Sequence, residues 1–449
     1  MKTIYLIFIA GILACSSSHA QQAKAWNNWH FGWFASMQFT TGTPVETLGS
    51  GMISEEGSAS YSDDNGNLLF YTNGGGGDNG NIPPGAVWNR NHQIMPNGTI
   101  TSGAGCSSSP QSALVIPKSG STTEYYLYTM GCASMQVGLR ESIVDMSLDG
   151  GLGNLSQVGT QISTMSWLAE GLTATKHANG TDYWIVIHDG GSNEFYVYPH
   201  TAAGIGSPVT YAVGSTDSHG QIKINAGGNV LACGTQVFDF NNATGAISNP
   251  RSTGRSAWGR SFSPSGRYLY ISGALGQGNI YQYDLQAADL AASEVLIAGG
   301  SLFAGPMQLG PDGKIYVAVY GHSAVSVLNA PESAGLSCNF VLDQVDLSNH
   351  CQLGLPNYID SYYLELTSGV EEQNLFVGLS PNPATENVTI TASAKLDAIS
   401  ITTIDGKLLQ TIVPADISTT IDVSALRSGT YFITGTAQGV KSVKELVIE

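Results

Sequence analysis

Charge is scarce in this chain. Only 11% of its 449 residues are Asp, Glu, Lys or Arg, and the 34 acids outnumber the 17 bases. A net charge of −17 repels phosphate backbones, so nucleic acid is not expected as a partner, and the acidity serves solubility. Beyond the first twenty residues no apolar run reaches the 18 residues of a membrane span, so none is expected in the mature chain. Long amphipathic helical patterns are missing as well. There is no CxxC pair and no Cys/His cluster at zinc spacing, so no metal and no cofactor is expected. A nucleophile elbow, a phosphate-binding loop and an HExxH helix are equally absent, and no catalytic residue can be named.

What the chain has is glycine, 55 residues of it, between short alternating apolar runs. That composition belongs to many short strands joined by tight turns, and the fold class is all-β. The stretch Gly305 to Ala318, GPMQLGPDGKIYVA, is a β-hairpin in sequence: two period-2 runs around a Pro-Asp-Gly turn. The same pattern returns at Gly259 to Ser272 (GRSFSPSGRYLYIS) and at Gly220 to Cys233 (GQIKINAGGNVLAC).

Seven short lead-ins precede such hairpins: EGSAS at Glu56, SPQSA at Ser109, EGLTA at Glu170, HGQIK at His219, WGRSF at Trp258, AGPMQ at Ala304 and LGLPN at Leu353. Their Gly or Pro residues lie 39 to 61 residues apart, close to the roughly 40–50-residue period of four-stranded propeller blades. The sequence therefore predicts a seven-bladed β-propeller, with six or eight blades as the alternatives. The last unit is short of strands, and the aromatic run at Trp29 to Phe39 is the segment expected to complete it.

The domain boundaries follow from composition. Residues 1–20 read as a signal peptide, with Lys2, an apolar core from Thr3 to Ala14 and a small-x-small site at Ser18-His19-Ala20. Ile12 to Cys15 partly resembles a lipoprotein box, in which Cys15 would be acylated; cleavage after Ala20 is the preferred reading. The propeller spans 26–366, a polar linker 367–375, and a small C-terminal β-sandwich 376–449. Export permits disulfides, and Cys106 with Cys132 and Cys338 with Cys351 are the candidate pairs; Cys233 lies in a strand pattern as a free thiol.

In a propeller the innermost strands begin near the central channel, so equivalent lead-in residues converge at one mouth. Glu56, Glu170, His219, Gln221, Trp258, Arg260 and Gln308 are the candidate ligand-binding residues there. A loop with Trp88, Arg90 and His92 combines indole, guanidinium and imidazole, and is a second candidate. Asp63 to Asn67 has oxygen ligands at loop spacing but lacks the bidentate Glu of a calcium loop, and reads as a turn. His177 and His188 flank one hairpin and are expected to be satisfied locally.

The C-terminal segment contains LSPNPATENVTI from Leu379, an Asp-Gly-Lys and a Leu-x-x-Gly-x-Tyr spacing, in that order. With Pro381, Asn382, Pro383, Asp405, Gly406, Lys407, Leu426, Gly429 and Tyr431 it resembles the type A sorting domain of the Bacteroidetes type IX secretion system. The resemblance implies the type IX machinery as a partner. It also implies a route through the periplasm, then surface attachment or release. Relatives often end on a basic residue, whereas this chain stops at Glu449.

The WHFG at Trp29 and the VWNRNHQIMPNG at Val87 resemble a group of Bacteroidetes surface propellers. The hairpins are similar to YVTN/WD-repeat-like and lactonase-like propellers at the level of fold, which does not deliver function. The expected function is a monomeric, exported binding or adhesion module for a glycan, a surface polymer or a protein. One alternative is a lactonase- or lyase-like enzyme using Glu56, Glu170 and His219 at the channel mouth. The other is a purely structural surface component.

Overall fold

The computed structural model describes residues 24–40, 43–76, 84–100, 106–132, 138–163, 168–273, 278–300, 302–364, 376–392, 395–403, 407–437 and 440–449. The signal peptide with Cys15, the linker 367–375, and Asp405 and Gly406 lie outside them. The chain divides into two compact units between Leu366 and Thr367. No helix among the described residues is long and apolar enough to cross a membrane.

Local turn chemistry builds the first unit. Five hairpins share one geometry: the amide of a glycine donates to the carbonyl three residues earlier, at Asp63/Gly66, His177/Gly180, Asn225/Gly228, Ser263/Gly266 and Gly310/Gly313. These glycines have φ between +66° and +84°, a region that side chains with a Cβ resist. The turn is the repeated device, and the strands on either side inherit their register from it.

Among the described residues the first unit holds seven antiparallel sheets. The first blade is Ala59–Ser62, Leu68–Thr72, Gly85–Asn89 and Ile94–Ile100. The second is Ala113–Pro117, Glu124–Met130, Leu139–Asp145 and Asn154–Gln161. The third runs Leu168–Lys176, Tyr183–Asp189 and Glu194–Thr201, the last strand pairing with both Gly204–Ile205 and Val209–Ala212. The fourth is Lys223–Ile224, Val230–Cys233, Gln236–Asn241 and Ala246–Ser252. The fifth is Ala257–Phe262, Tyr268–Gly273, Ile280–Asp284 and Val295–Ala298. The sixth is Ala304–Leu309, Ile315–Val319, Ala324–Leu328 and Phe340–Asp346. Each blade is a meander in chain order, the arrangement of a β-propeller.

The seventh sheet comes from the other end of the chain: Asn28–Phe31, Ala35–Gln38 and Val45–Glu46. The aromatic run at Trp29 to Phe39 thus supplies two strands of this sheet. Gly32 turns the chain between them at φ +55°, where an added Cβ would lie 2.3 Å from the His350 carbonyl oxygen. The seventh lead-in also contributes to closure. Ser58 of the first blade bridges Pro356 in parallel, and Asn357 N donates to the Ser58 carbonyl at 2.9 Å. Trp29 packs at 5.3 Å from the Tyr316 ring of the sixth blade and 5.8 Å from Tyr358, whose hydroxyl donates to the Asn28 carbonyl. Both ends of the first unit thus meet where the ring shuts.

The second unit has one sheet of Phe376–Ser380, Asn387–Ala392 and Ser418–Asp422. The other sheet orders Leu408–Ile412, Ala398–Thr403, Gly429–Ala437 and Val440–Ile448. Val388, Ile390, Ile399, Ile401, Ile421, Ile433 and Leu446 alternate inward and form its core, as a sandwich requires. Asn382 of the Pro-Asn-Pro motif fastens the final strand: its amide nitrogen donates to the Glu445 carbonyl at 2.9 Å, and its amide oxygen accepts from Val447 N at 2.8 Å. Tyr431 donates to the Arg427 carbonyl at 2.7 Å, closing the Leu426–Tyr431 turn.

Cys106 and Cys132 form a disulfide across 26 residues, with Cα atoms 5.4 Å apart. The pairing expected of Cys338 and Cys351 does not occur, and both are free, as is Cys233. The reason is packing. Cys338 is buried with Tyr268, Tyr270 and Met307, whereas Cys351 lies in the closure cluster with Trp29 and donates its S–H to the Val319 carbonyl. A closed loop of this length stabilises by about 3 kcal/mol. Reduction, or Cys132→Ser, is expected to lower the denaturant midpoint of the propeller accordingly. An unchanged midpoint under reductant would show that the bridge contributes nothing.

Candidate functional site

The lead-in residues expected to ring the channel mouth separate into two groups. Gln221, Arg260 and Gln308 are buried. The Gln221 amide oxygen accepts from Arg260 N at 3.0 Å and from Met307 N at 2.9 Å, joining the fourth blade to the fifth and sixth. Gln111 repeats this two blades earlier. Its amide oxygen accepts from Leu172 N at 3.2 Å and Ile222 N at 2.7 Å, joining the second blade to the third and fourth. Its amide nitrogen donates to the Ile222 carbonyl and to the Asn357 side-chain oxygen, and Asn357 donates on to the carbonyls of Ala113 and Leu172. The Arg260 guanidinium is spent on the carbonyls of His219, Gly234 and Ala257.

A second buried group lies beside these. Lys223 Nζ donates to the Gln308 amide oxygen at 2.6 Å and sits 3.5 Å from Asp360 Oδ1, which also accepts from Gln308 Nε2 at 3.0 Å. Both charged side chains are 1% exposed. Burial favours their neutral forms, pulling the lysine down and pushing the carboxyl up, while their mutual attraction opposes both shifts. These groups bond blade to blade and are not displayed to a ligand.

The remaining lead-in residues stand in different surroundings. Glu56 is buried, and its carboxylate accepts from Ser108 Oγ at 3.2 Å. The Glu170 carbonyl accepts from Ser109 Oγ at 2.8 Å, so the 107–109 turn ties these two lead-ins together. The His219 side chain is 77% exposed and holds Asp217 at 2.8 Å. The Trp258 carbonyl accepts from Gln221 N. Of the seven candidates, the side chains of Gln221, Arg260 and Gln308 are engaged between blades, Glu56 is buried against Ser108, and His219 is exposed.

The loop candidates are packed as well. Trp88 stacks on Tyr71, with centroids 5.5 Å apart, and Tyr71 stacks on His30 at 3.9 Å. The Tyr71 oxygen accepts from Gly51 N at 2.9 Å and lies 3.0 Å from His92 Nδ1. Arg90 donates to the Gly151 carbonyl, tying the first blade to the second. Burial pushes the Tyr71 hydroxyl up to about 12. Burial, with the neighbouring His92 ring, pulls His30 down to about 3. His177 Nδ1 accepts from Asn179 N, and His188 Nδ1 lies 2.5 Å from the Asp189 carbonyl, so both are satisfied locally.

A cleft of about 590 Å³ opens at the other end of the blades, over the first-to-second-strand hairpins of the first three. Tyr61, Tyr125 and Tyr183 line it with Asp63, Asp64, Lys118 and Lys176. The Tyr61 and Tyr125 rings pack at 4.8 Å. Lys176 Nζ lies over the rings of Tyr183 and Tyr362 at 5.9 and 5.8 Å. Lys118 pairs with Glu124 at 2.8 Å, which raises the lysine. Asp63 accepts from the amides of Asn65 and Asn67, which confirms the turn. Burial, with Asp64 and Asp63 nearby, raises Tyr125 to about 12. The volume suits a few sugar rings or a short polymer segment. No single motif in the sequence marks this cleft, because its residues come from three separate turns.

The His30 stack generates a pH dependence. In the unfolded chain His30 titrates near 6.5, but in the folded chain only near 3. Between those values the unfolded state binds the extra proton, so this contribution is full above pH 6.5 and falls as pH drops toward 3. His30→Phe, which keeps a ring against Tyr71, is expected to reduce the slope of stability against pH in that window by about one proton. An unchanged slope in denaturant titrations would contradict the burial of a neutral imidazole.

Residues 379–449 match the family described as the secretion system C-terminal sorting domain. No curated protein matches the chain significantly. Among solved structures, a putative 6-phosphogluconolactonase from Bacteroides fragilis is 13% identical, with 74% of this chain and 97% of that chain covered at a TM-score of 0.48. One from Bacteroides uniformis is 14% identical, with 74% and 99% covered at 0.49. PorZ of Porphyromonas gingivalis, described as an essential bacterial surface component of the type IX secretion system, is 11% identical, with 93% and 68% covered at 0.32. At these scores the likenesses carry no argument about activity, and the propeller stands on its own sheets. The chain is a β-propeller followed by a type IX secretion C-terminal sorting domain, which indicates export to the cell surface or beyond it.

Proposed function

We propose that the propeller is an exported binding module that takes a glycan chain in the cleft over its first three hairpins. The observation that carries this reading is the composition of that cleft: three tyrosines in its lining, with a lysine ammonium over the Tyr183 ring. Aromatic rings meet the C–H faces of sugars, and the cations and carboxylates at the rim meet hydroxyl or acidic substituents.

Binding is favoured over catalysis because the charges are already engaged. Asp63 is held by its own turn and Lys118 by Glu124, which leaves neither poised as an acid or a base. At the channel mouth, buried Glu56 and exposed His219 do not share an environment in which protons could be exchanged. The lactonase- or lyase-like alternative therefore loses the pairing of Glu56 with His219. Residues 1–20 would carry the chain to the periplasm, and the C-terminal unit would then direct it across the outer membrane.

The test is a glycan array probed with the full chain and with Lys176→Ala. The expected result is retention of an acidic or neutral glycan that weakens about tenfold in the variant. Retention unaffected by the substitution would place binding elsewhere. No retention of any glycan would overturn the reading in favour of a purely structural role.

A further inference from the structure

Where the closing sheet meets the sixth blade, three large rings stand exposed. Trp33 and Phe34, at the tip of the turn between Asn28–Phe31 and Ala35–Gln38, are 40% and 43% exposed, and Tyr320 is 51% exposed. These are bulky aromatics in a chain that otherwise buries most of its rings. Phe34 adopts φ +59°, a left-handed conformation that a non-glycine residue holds only at a cost of about 1 kcal/mol or more.

The backbone brings the rings together. Trp33 N donates to the His350 carbonyl at 3.0 Å, and Cys351 N donates to the His322 carbonyl two residues after Tyr320. The Trp33 ring meets His350 edge-on at 6.4 Å, and Tyr320 packs on Phe303 at 5.6 Å. Polar groups lie between them, with two carboxylates at the edge: Asp343 on His322 and Glu46 on Ser348. Ser323 Oγ is 3.3 Å from His350 Nδ1, and the Asn349 amide donates to the Phe34 carbonyl.

We infer that this patch is a second carbohydrate-binding surface, separate from the cleft and specific for a neutral saccharide. Exposed indole and phenyl faces stack on the C–H face of a pyranose, while a hydroxyl, a carboxamide and an imidazole serve its equatorial hydroxyls. An anionic sugar would find no lysine or arginine among the residues that form the patch. The cleft opens at the hairpin turns, whereas this patch lies at the opposite ends of the blades, near the lead-ins. One molecule could then hold two polymer chains, and its retention on a polymer would exceed either site alone.

The test is affinity electrophoresis of the full chain in gels containing a β-1,4-glucan, a β-1,3-glucan, an α-1,4-glucan, a mannan or a xylan. Trp33→Ala is compared with Tyr320→Ala and Lys176→Ala, each with its fold checked by circular dichroism. The expected result is retardation by at least one neutral polymer, with apparent affinity falling about tenfold in Trp33→Ala and severalfold in Tyr320→Ala. Lys176→Ala should keep the residual retardation that the patch provides. Retardation unchanged in both aromatic variants, or abolished by Lys176→Ala alone, would overturn the second site and leave the cleft. No retardation in any of these polymers would overturn it as well. If Trp33→Ala does not fold, the exposed Tyr320→Ala decides the outcome.

Discussion

A blade of four strands has two apolar faces and can bury neither by itself, so every sheet of this propeller depends on the ring being shut. Closure is carried by the two ends of the unit. The N-terminal strands form the seventh sheet, and residues 353–360 cross from the sixth blade to Ser58 of the first, placing Tyr358 against Trp29. Around the axis, Gln111 and Gln221 each reach two following blades, and Asn357 completes the bonds of Gln111. A buried amide that answers two backbone N–H groups is costly to lose, because each orphaned donor forfeits about 1–3 kcal/mol.

That constraint explains why the channel mouth is a poor place to find function in this chain. The polar lead-in residues resemble a convergent site because they do converge. Yet the groups they meet are one another's backbones. Lys223, Gln308 and Asp360 carry the same logic further, with a buried ion pair bridged by one amide. With the lead-ins engaged in holding the ring, the proposed recognition falls to the rims. The cleft lies at the hairpin turns and the aromatic patch at the loops opposite.

The all-β class and the repeat were legible because the turn device demands glycine at one place, and Gly66, Gly228, Gly266 and Gly313 mark it. The role of Gln111 and Gln221 was legible in principle. Both occupy the third position of their lead-ins, SPQ and HGQ, and a repeated residue points to scaffold where a varying one points to recognition. Lys223 and Asp360 gave no such sign, since a single lysine in an apolar alternation looks like an exposed strand residue. The cleft was hidden because Tyr61, Tyr125 and Tyr183 each obey the inward alternation of their own strand. The pairing of Cys338 with Cys351 failed because thirteen residues of separation says nothing about which apolar cluster each thiol joins.

The most direct test of the sealed axis is native-state hydrogen exchange on Gln111→Leu. The substitution removes the acceptor of Leu172 N and Ile222 N and leaves every hairpin turn untouched. The account predicts that the slowest amides of all seven sheets lose protection together and by a similar factor, because the ring opens as one unit. Loss confined to the second, third and fourth blades, with full protection elsewhere, would contradict it.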